Sequence, residues 1–229
     1  MLRRIFNEPK RVDEGFLLSA NEAIRAYLNR MDKVSAPTDK HHKLAYWAKS
    51  FMDAIDELEQ SKYCAEKFSE GITHRFEEEM DEAELDQYHL YLYFYKNALI
   101  RVFSILDKLG HYINEWLELR TERVKRKFSY FTVLRHMHDQ HVHTTFEQSL
   151  YDLKKKYREP MLRLRKKRNM EIHFINVEFL DDMHRAAGTL HGKNAIENPK
   201  ENLDDLRQGY EMVLQSVYLI FQYAKRMLT

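Results

Sequence analysis

Residues 81–119 read DEAELDQYHLYLYFYKNALIRVFSILDKLGHYINEWLEL. Within them Leu85, Tyr88, Leu92, Tyr95, Leu99, Val102, Leu106, Leu109, Ile113 and Trp116 follow one another at alternating spacings of three and four. An α-helix, with about 3.6 residues per turn, brings such positions onto one stripe. Tyr91, Ala98, Phe103, Ile105, Tyr112 and Leu117 beside that stripe are also apolar or aromatic. The apolar face is therefore wider than a two-stranded seam and must touch more than one neighbour. At about 1.5 Å per residue the helix would run roughly 57 Å. It reads as the central helix of a bundle or as half of a dimer interface, with its tyrosines as core residues.

The chain on either side supplies the neighbours. Upstream, Ser19-Ala20-Asn21-Glu22 has capping-box spacing ahead of Ala23, Ile24, Tyr27 and Met31, which predicts a helix from Asp13 or Ser19 to Asp32. Residues 1–12 read as an irregular arm. A second helix is expected from Asp39 to Phe68, carrying Leu44, Trp47, Phe51, Ile55 and Leu58. Downstream, the basic stretch Arg120–Lys127 reads as a connection, and Phe128–Leu134 as a short apolar piece of open type. Thr144 and Glu147 have capping-box spacing before Phe146, Leu150, Leu153 and Tyr157. Glu159-Pro160 suits a helix start, because proline is tolerated in a first turn, and that helix would carry Met161, Leu164, Arg168, Ile172 and Ile175. A less ordered segment is expected over 176–198, with one amphipathic turn around Phe179, Leu180 and Met183. Asn198-Pro199 then opens a last helix bearing Leu203, Leu206, Tyr210, Val213, Val217 and Ile220.

Only 6 glycines and 4 prolines in 229 residues favour long helices over a multi-stranded sheet. These readings give an all-α fold, an up-and-down bundle of long helices. Residues 1–80 supply N-terminal helices that pack on a bundle formed by 81–229, the whole making one compact unit. The single cysteine, Cys64, excludes an internal disulfide and suits a reducing compartment. No run is long and apolar enough for a signal peptide or a membrane span, so a cytoplasmic protein is expected.

Charge is uneven although the net is only +1. Residues 53–86 hold thirteen Asp and Glu against Lys62, Lys67 and Arg75, whereas residues 120–168 hold fifteen Lys and Arg against five carboxylates. Such halves either neutralise one another as solvated helix faces or leave a basic surface suited to a polyanion.

The basic half ends in Arg165-Lys166-Lys167-Arg168-Asn169-Met170-Glu171-Ile172-His173. On a helix Asn169 and His173 share a face, while Arg168 lies about 140° round from His173. Arg168 also falls in the apolar row between Leu164 and Ile172, where a guanidinium must be paired or must line a cavity. Arg168-Asn169-Met170-Glu171-Ile172-His173 resembles the Arg-Asn-x-x-x-His form of the motif of HEPN domains, as does its placement on a helix before the last helix of an all-helical chain. The resemblance runs from about Asp81 to the C-terminus. It implies a dimeric, metal-independent endoribonuclease that uses no cofactor and cleaves RNA through attack by the 2′-hydroxyl. His173 would be the acid–base group, Arg168 would hold the scissile phosphate, and Asn169 would orient the imidazole. Arg165, Lys166 and Lys167 would bind flanking phosphates. It equally implies an alternative, a non-catalytic helical module that binds nucleotide, nucleic acid or a protein partner such as an antitoxin.

A second constellation competes. Arg135-His136-Met137-His138-Asp139-Gln140-His141-Val142-His143 is dense in imidazoles, and His138 and His141 could share one helix face. It reads first as a solvated histidine-rich segment. His136, His138, His141 and His143 are the weak candidates for a metal-binding helical protein. No phosphate-binding glycine loop, dinucleotide fingerprint, or serine or cysteine triad is present.

Overall fold

The computed structural model describes residues 2–173 and 195–228. Residues 174–194 lie outside the described residues, and with them Ile175 and, from the less ordered segment expected over 176–198, Phe179, Leu180 and Met183. The helices are α1 (Gly15–Met31), α2 (Asp39–Ser69), α3 (Glu82–Trp116), α4 (Tyr130–Asp139), α5 (Thr144–Lys156), α6 (Arg158–His173) and α7 (Pro199–Met227), with short 3-10 turns at Leu2–Phe6, Glu77–Glu79 and Thr121–Arg123. Among the described residues the sole extended pairing is an isolated bridge between Phe76 and Ala195. The fold is all-α.

The apolar stripe of α3 is buried from Tyr88 to Ile113, and so are Tyr91, Ala98, Phe103, Ile105 and Tyr112 beside it. The wide face thus has the several neighbours that its width demands. Helix α2 runs antiparallel to α3, as the pairs Ser61–Asn97, Glu57–Arg101, Lys43–Glu115 and Lys40–Glu118 show: the number falls on one helix by as much as it rises on the other. Helices α6 and α7 are also antiparallel, through Lys167–Asn202 and a bidentate Arg163–Asp205 pair at 2.8 and 2.7 Å. These alternating directions make the bundle up-and-down.

Packing separates two compact units, one of Met1–Lys10, Leu58–Ile100 and Glu159–Gly209, the other of Arg11–Glu57, Arg101–Arg158 and Tyr210–Thr229. The first ties the N-terminal arm to α2: Arg3 forms a bidentate pair with buried Glu59 and lies 3.9 Å over the Tyr63 ring, and Phe6 meets the rings of Tyr63 and Phe68. The arm is therefore a docked 3-10 turn. Cys64 is buried in the same unit, and burial pushes its thiol up to about 11, away from ready thiolate chemistry.

Three local starts differ from expectation. Helix α1 begins at Gly15, so Ser19 sits one turn inside it and its hydroxyl donates back to the Gly15 carbonyl at 3.0 Å, leaving no capping box with Glu22. At α5 the N-cap is His143, so Thr144 is already helical. The reciprocal capping box forms instead between Ser129 and Thr132, which turns the open apolar piece into α4. The break between α5 and α6 falls at Tyr157. Pro160 explains it, since a proline has no N–H for the carbonyl four residues back, that of Lys156, and its ring crowds that carbonyl.

Gly110 marks the closest approach of α3 and α4. A Cβ there would lie 2.7 Å from the Tyr130 Cα and 2.8 Å from its nitrogen. In an open helix Gly→Ala gains about 1 kcal/mol. Here the backbone of α4 must yield, so Gly110→Ala is expected to lower the unfolding free energy by about 1–3 kcal/mol in a urea titration, the usual cost of overpacking.

The loop between α2 and α3 hangs on one carboxylate. Glu84, buried at the start of α3, accepts from the Thr73 and His74 backbone amides, the Thr73 hydroxyl and, at 2.7 Å, His74 Nδ1. The amide and imidazole donors of His74, then those of Thr73, hold the Glu84 carboxyl down at about 2, and Glu84 in turn raises the His74 imidazole. Glu84's contribution is present above the ordinary carboxyl value near 4.5 and fades as pH falls toward 2. That of His74 is full below its ordinary value of 6.5 and fades as pH rises through its elevated one. The stability difference between wild type and Glu84→Gln, followed by melting temperature, is expected to be widest between about pH 4.5 and 6.5 and to narrow on both sides. A difference flat across pH would contradict the pairing.

Candidate functional site

Helix α6 divides its side chains among three directions. Met161 and Leu164 are buried. Arg168 and Glu171 continue the stripe of Leu164 and are half-buried, with Glu171 3.5 Å from Lys96 of α3. Ile172 is 48% exposed and does not close an apolar row with Leu164, contrary to expectation. The inward position one turn beyond Arg168 belongs to Glu171, whose charge Lys96 neutralises, so the stripe turns polar from Arg168 onward.

A second face packs on α7. Lys167, 23% exposed, donates to Glu197 at 2.6 Å and to the Asn202 side-chain oxygen. Burial pushes the Glu197 carboxyl up, but the hydrogen bond and charge of Lys167 outweigh it, leaving the group below the usual carboxylate range. Lys167 thus spends two of its three donors inside the fold. Arg165 and Lys166 remain exposed. The third face carries Leu162, Arg165, Asn169 and Ile172 at helical spacing; Leu162 is 49% exposed and Asn169 half-buried. The backbone of His173 closes α6 on this outer face, one turn after Asn169. The side chain of His173 lies outside the described residues.

The helix that carries Arg168-Asn169 and ends in His173 is thus an antiparallel partner of the last helix, with its basic residues split between solvent and the fold. The profile of the Cthe2314-like HEPN family matches residues 47–225. The chain belongs to the HEPN family. The match begins at Trp47 inside α2 and ends at Lys225 inside α7, so the HEPN region takes in most of α2 as well as the helices that follow it. No curated protein and no solved structure matches the chain.

The four histidines ahead of α6 find different partners, although the His138 and His141 rings lie 6.5 Å apart between centroids. His136 Nε2 lies 3.0 Å from the Leu119 carbonyl and His143 Nδ1 3.1 Å from the Tyr223 hydroxyl. His138 turns to buried Glu147, at 3.4 Å. Helix α4 ends at Asp139, and His141 follows with a left-handed φ of 52°, so His138 and His141 do not share a helix face. Among the described residues no three His, Cys, Asp or Glu side chains gather in a way that could hold a metal ion. Nor, among them, is any helix long and apolar enough to cross a membrane. Two features of the motif region escaped sequence reasoning: the Lys96–Glu171 pair and the engagement of Lys167. Each joins residues far apart in the chain, and the one local signal was a charged residue in an otherwise apolar row.

Proposed function

We propose that this HEPN protein is a metal-independent endoribonuclease whose reacting groups are Arg168, Asn169 and His173. The observation that carries the reading is the family match across α6, where these residues sit at the end of a helix whose outer face is basic and open. In the proposed reaction the ribose 2′-oxygen attacks phosphorus, the bond from phosphorus to the 5′-oxygen breaks, and a 2′,3′-cyclic phosphate and a 5′-hydroxyl result. His173 takes the proton from the 2′-hydroxyl and returns one to the leaving 5′-oxygen, a task suited to an imidazole. Arg168 holds the phosphate oxygens and stabilises their growing charge. Asn169 orients His173 from one turn away. Arg165 and Lys166 receive the flanking phosphates, with Lys167 contributing whatever charge Glu197 leaves uncompensated. A homodimer is part of the proposal, supported by the exposed apolar Leu162 and Ile172 on the motif helix. The test is cleavage of single-stranded RNA in EDTA by wild type and His173→Ala. Equal cleavage by the two proteins would overturn the assignment of His173, and no cleavage by either would leave the alternative, a binding module without catalysis.

A further inference from the structure

Helices α4 and α5 build a second cluster on a different packing unit from the motif. Glu147, on α5, is 4% exposed, and its Oε1 makes no hydrogen bond. His138 Nδ1 lies 3.4 Å from that oxygen. The imidazole is itself about half exposed and stacks on Tyr151, with the ring planes 6° apart and centroids at 5.3 Å. Lys154 and Lys155 place their ammonium groups 4.9 and 4.7 Å from the same tyrosine ring. Arg135 is close enough that its charge adds to burial in lowering the Lys154 ammonium's proton affinity, against the pull of Glu147. Asp139 and Asp152 are exposed on these helices, yet no carboxylate among the described residues pairs with Arg135 or Lys155.

Two features give the cluster chemical direction. Lys154 and Lys155 share one tyrosine ring, and Lys154 feels the charge of both Arg135 and the buried Glu147; this leaves surplus positive charge at the surface, and an incoming phosphate would relieve it. The position of Glu147 also fixes the ring. With the Glu147 carboxylate 3.4 Å from Nδ1, its charge favours the neutral imidazole that carries the proton there and the lone pair on Nε2, although no hydrogen bond closes between them. Nε2 has no partner among the described residues. It can accept a hydrogen bond from a hydroxyl, which is what separates a ribose from a deoxyribose.

We infer that the α4–α5 hairpin is an RNA-binding site in which Arg135, Lys154 and Lys155 hold backbone phosphates and His138, set by Glu147, accepts from a ribose 2′-hydroxyl. The inference rests on RNA as the substrate of this HEPN protein and adds where the strand is held and how it is told from DNA.

The experiment uses the full chain carrying Arg168→Ala and His173→Ala, so that no cleavage intrudes. Binding of a fluorescein-labelled single-stranded RNA and of the DNA of the same sequence is read by anisotropy across salt concentrations. Arg135→Glu with Lys155→Glu, both exposed and safe for folding, is expected to weaken both ligands more than tenfold and to lower the log–log salt slope by about 1.4, two contacts at roughly 0.7 each. His138→Phe keeps the stack on Tyr151 and is expected to remove an RNA-over-DNA preference of about fivefold, one hydrogen bond's worth. Unchanged binding after the charge reversal, with loss after Arg165→Ala and Lys166→Ala instead, overturns the site. A retained RNA preference in His138→Phe overturns the role of the imidazole. Absence of any RNA binding overturns the whole inference, while cleavage by the unmodified chain is scored separately and can still succeed.

Discussion

His173→Ala is expected to slow RNA cleavage in EDTA by about 10²- to 10⁴-fold, the range for loss of a positioned acid–base group. Far-UV circular dichroism and melting temperature should stay close to wild type. The expectation of a large catalytic and small structural effect follows from position. His173 is the last residue of α6, one turn after Asn169 along the helix. Substitutions at helix ends that leave caps and networks intact stay within about 0.5 kcal/mol. Arg168→Ala should lose a comparable amount of cleavage, since a donor aimed at developing charge is worth about 10²- to 10³-fold. Arg168 is half-buried, however, so its removal should also cost stability, and the two variants are separable by melting temperature. Loss of activity in both with a lowered melting temperature only in Arg168→Ala is the expected pattern. Full activity in His173→Ala would overturn its assignment as the acid–base group.

How much of this was legible depended on whether the cause was local. The stripe of α3 repeats at three and four residues without interruption, and each interior member is buried. Pro160 and Asn198-Pro199 placed two helix starts correctly, because proline acts through its own ring and missing N–H. Helix α6 was legible for the same reason, and the family match bears out the resemblance to HEPN domains. What was hidden is what a partner decides. Ile172 belongs to solvent because Lys96, some seventy positions earlier, makes Glu171 a tolerable inward neighbour. Lys167 looked like a free cation until Glu197, ahead of α7, and Asn202, on it, took its donors. Gly110 lies between two seam residues and carries no signal of its own; only the passage of Tyr130 beside it shows why a side chain cannot stand there. The capping boxes at Ser19 and Thr144 had the right letters, but the helices began elsewhere, because a cap is fixed by where the chain enters the fold as well as by residue type.

Tyr112→Ala is the substitution expected to cost the most stability, about 3–5 kcal/mol, as for other large aromatic truncations in a core. Tyr112 is fully buried, and five aromatic rings surround it: Tyr27 at 6.5 Å, Trp47 at 6.4 Å, Phe51 at 5.9 Å, Trp116 at 6.2 Å and Phe221 at 5.2 Å between centroids. They come from α1, α2, α3 and α7, so one side chain of the central helix joins three other helices of its packing unit. Phe221 also meets Tyr27 at 5.3 Å and Phe51 at 5.8 Å. A hole at Tyr112 therefore cannot collapse without shifting rings that hold one another, and sites that collapse poorly sit at the upper end of the range. Several of these contacts are edge-to-face, a geometry worth about 0.5–1.5 kcal/mol beyond buried area. Tyr112→Phe separates ring from hydroxyl: it keeps every ring contact and is expected to change the unfolding free energy from a urea titration by no more than one hydrogen bond's worth, about 0.5–1.5 kcal/mol. If alanine and phenylalanine were equally costly, the hydroxyl and not the ring would be the keystone of this unit. If neither mattered, the width of the α3 stripe would not be what fixes the bundle.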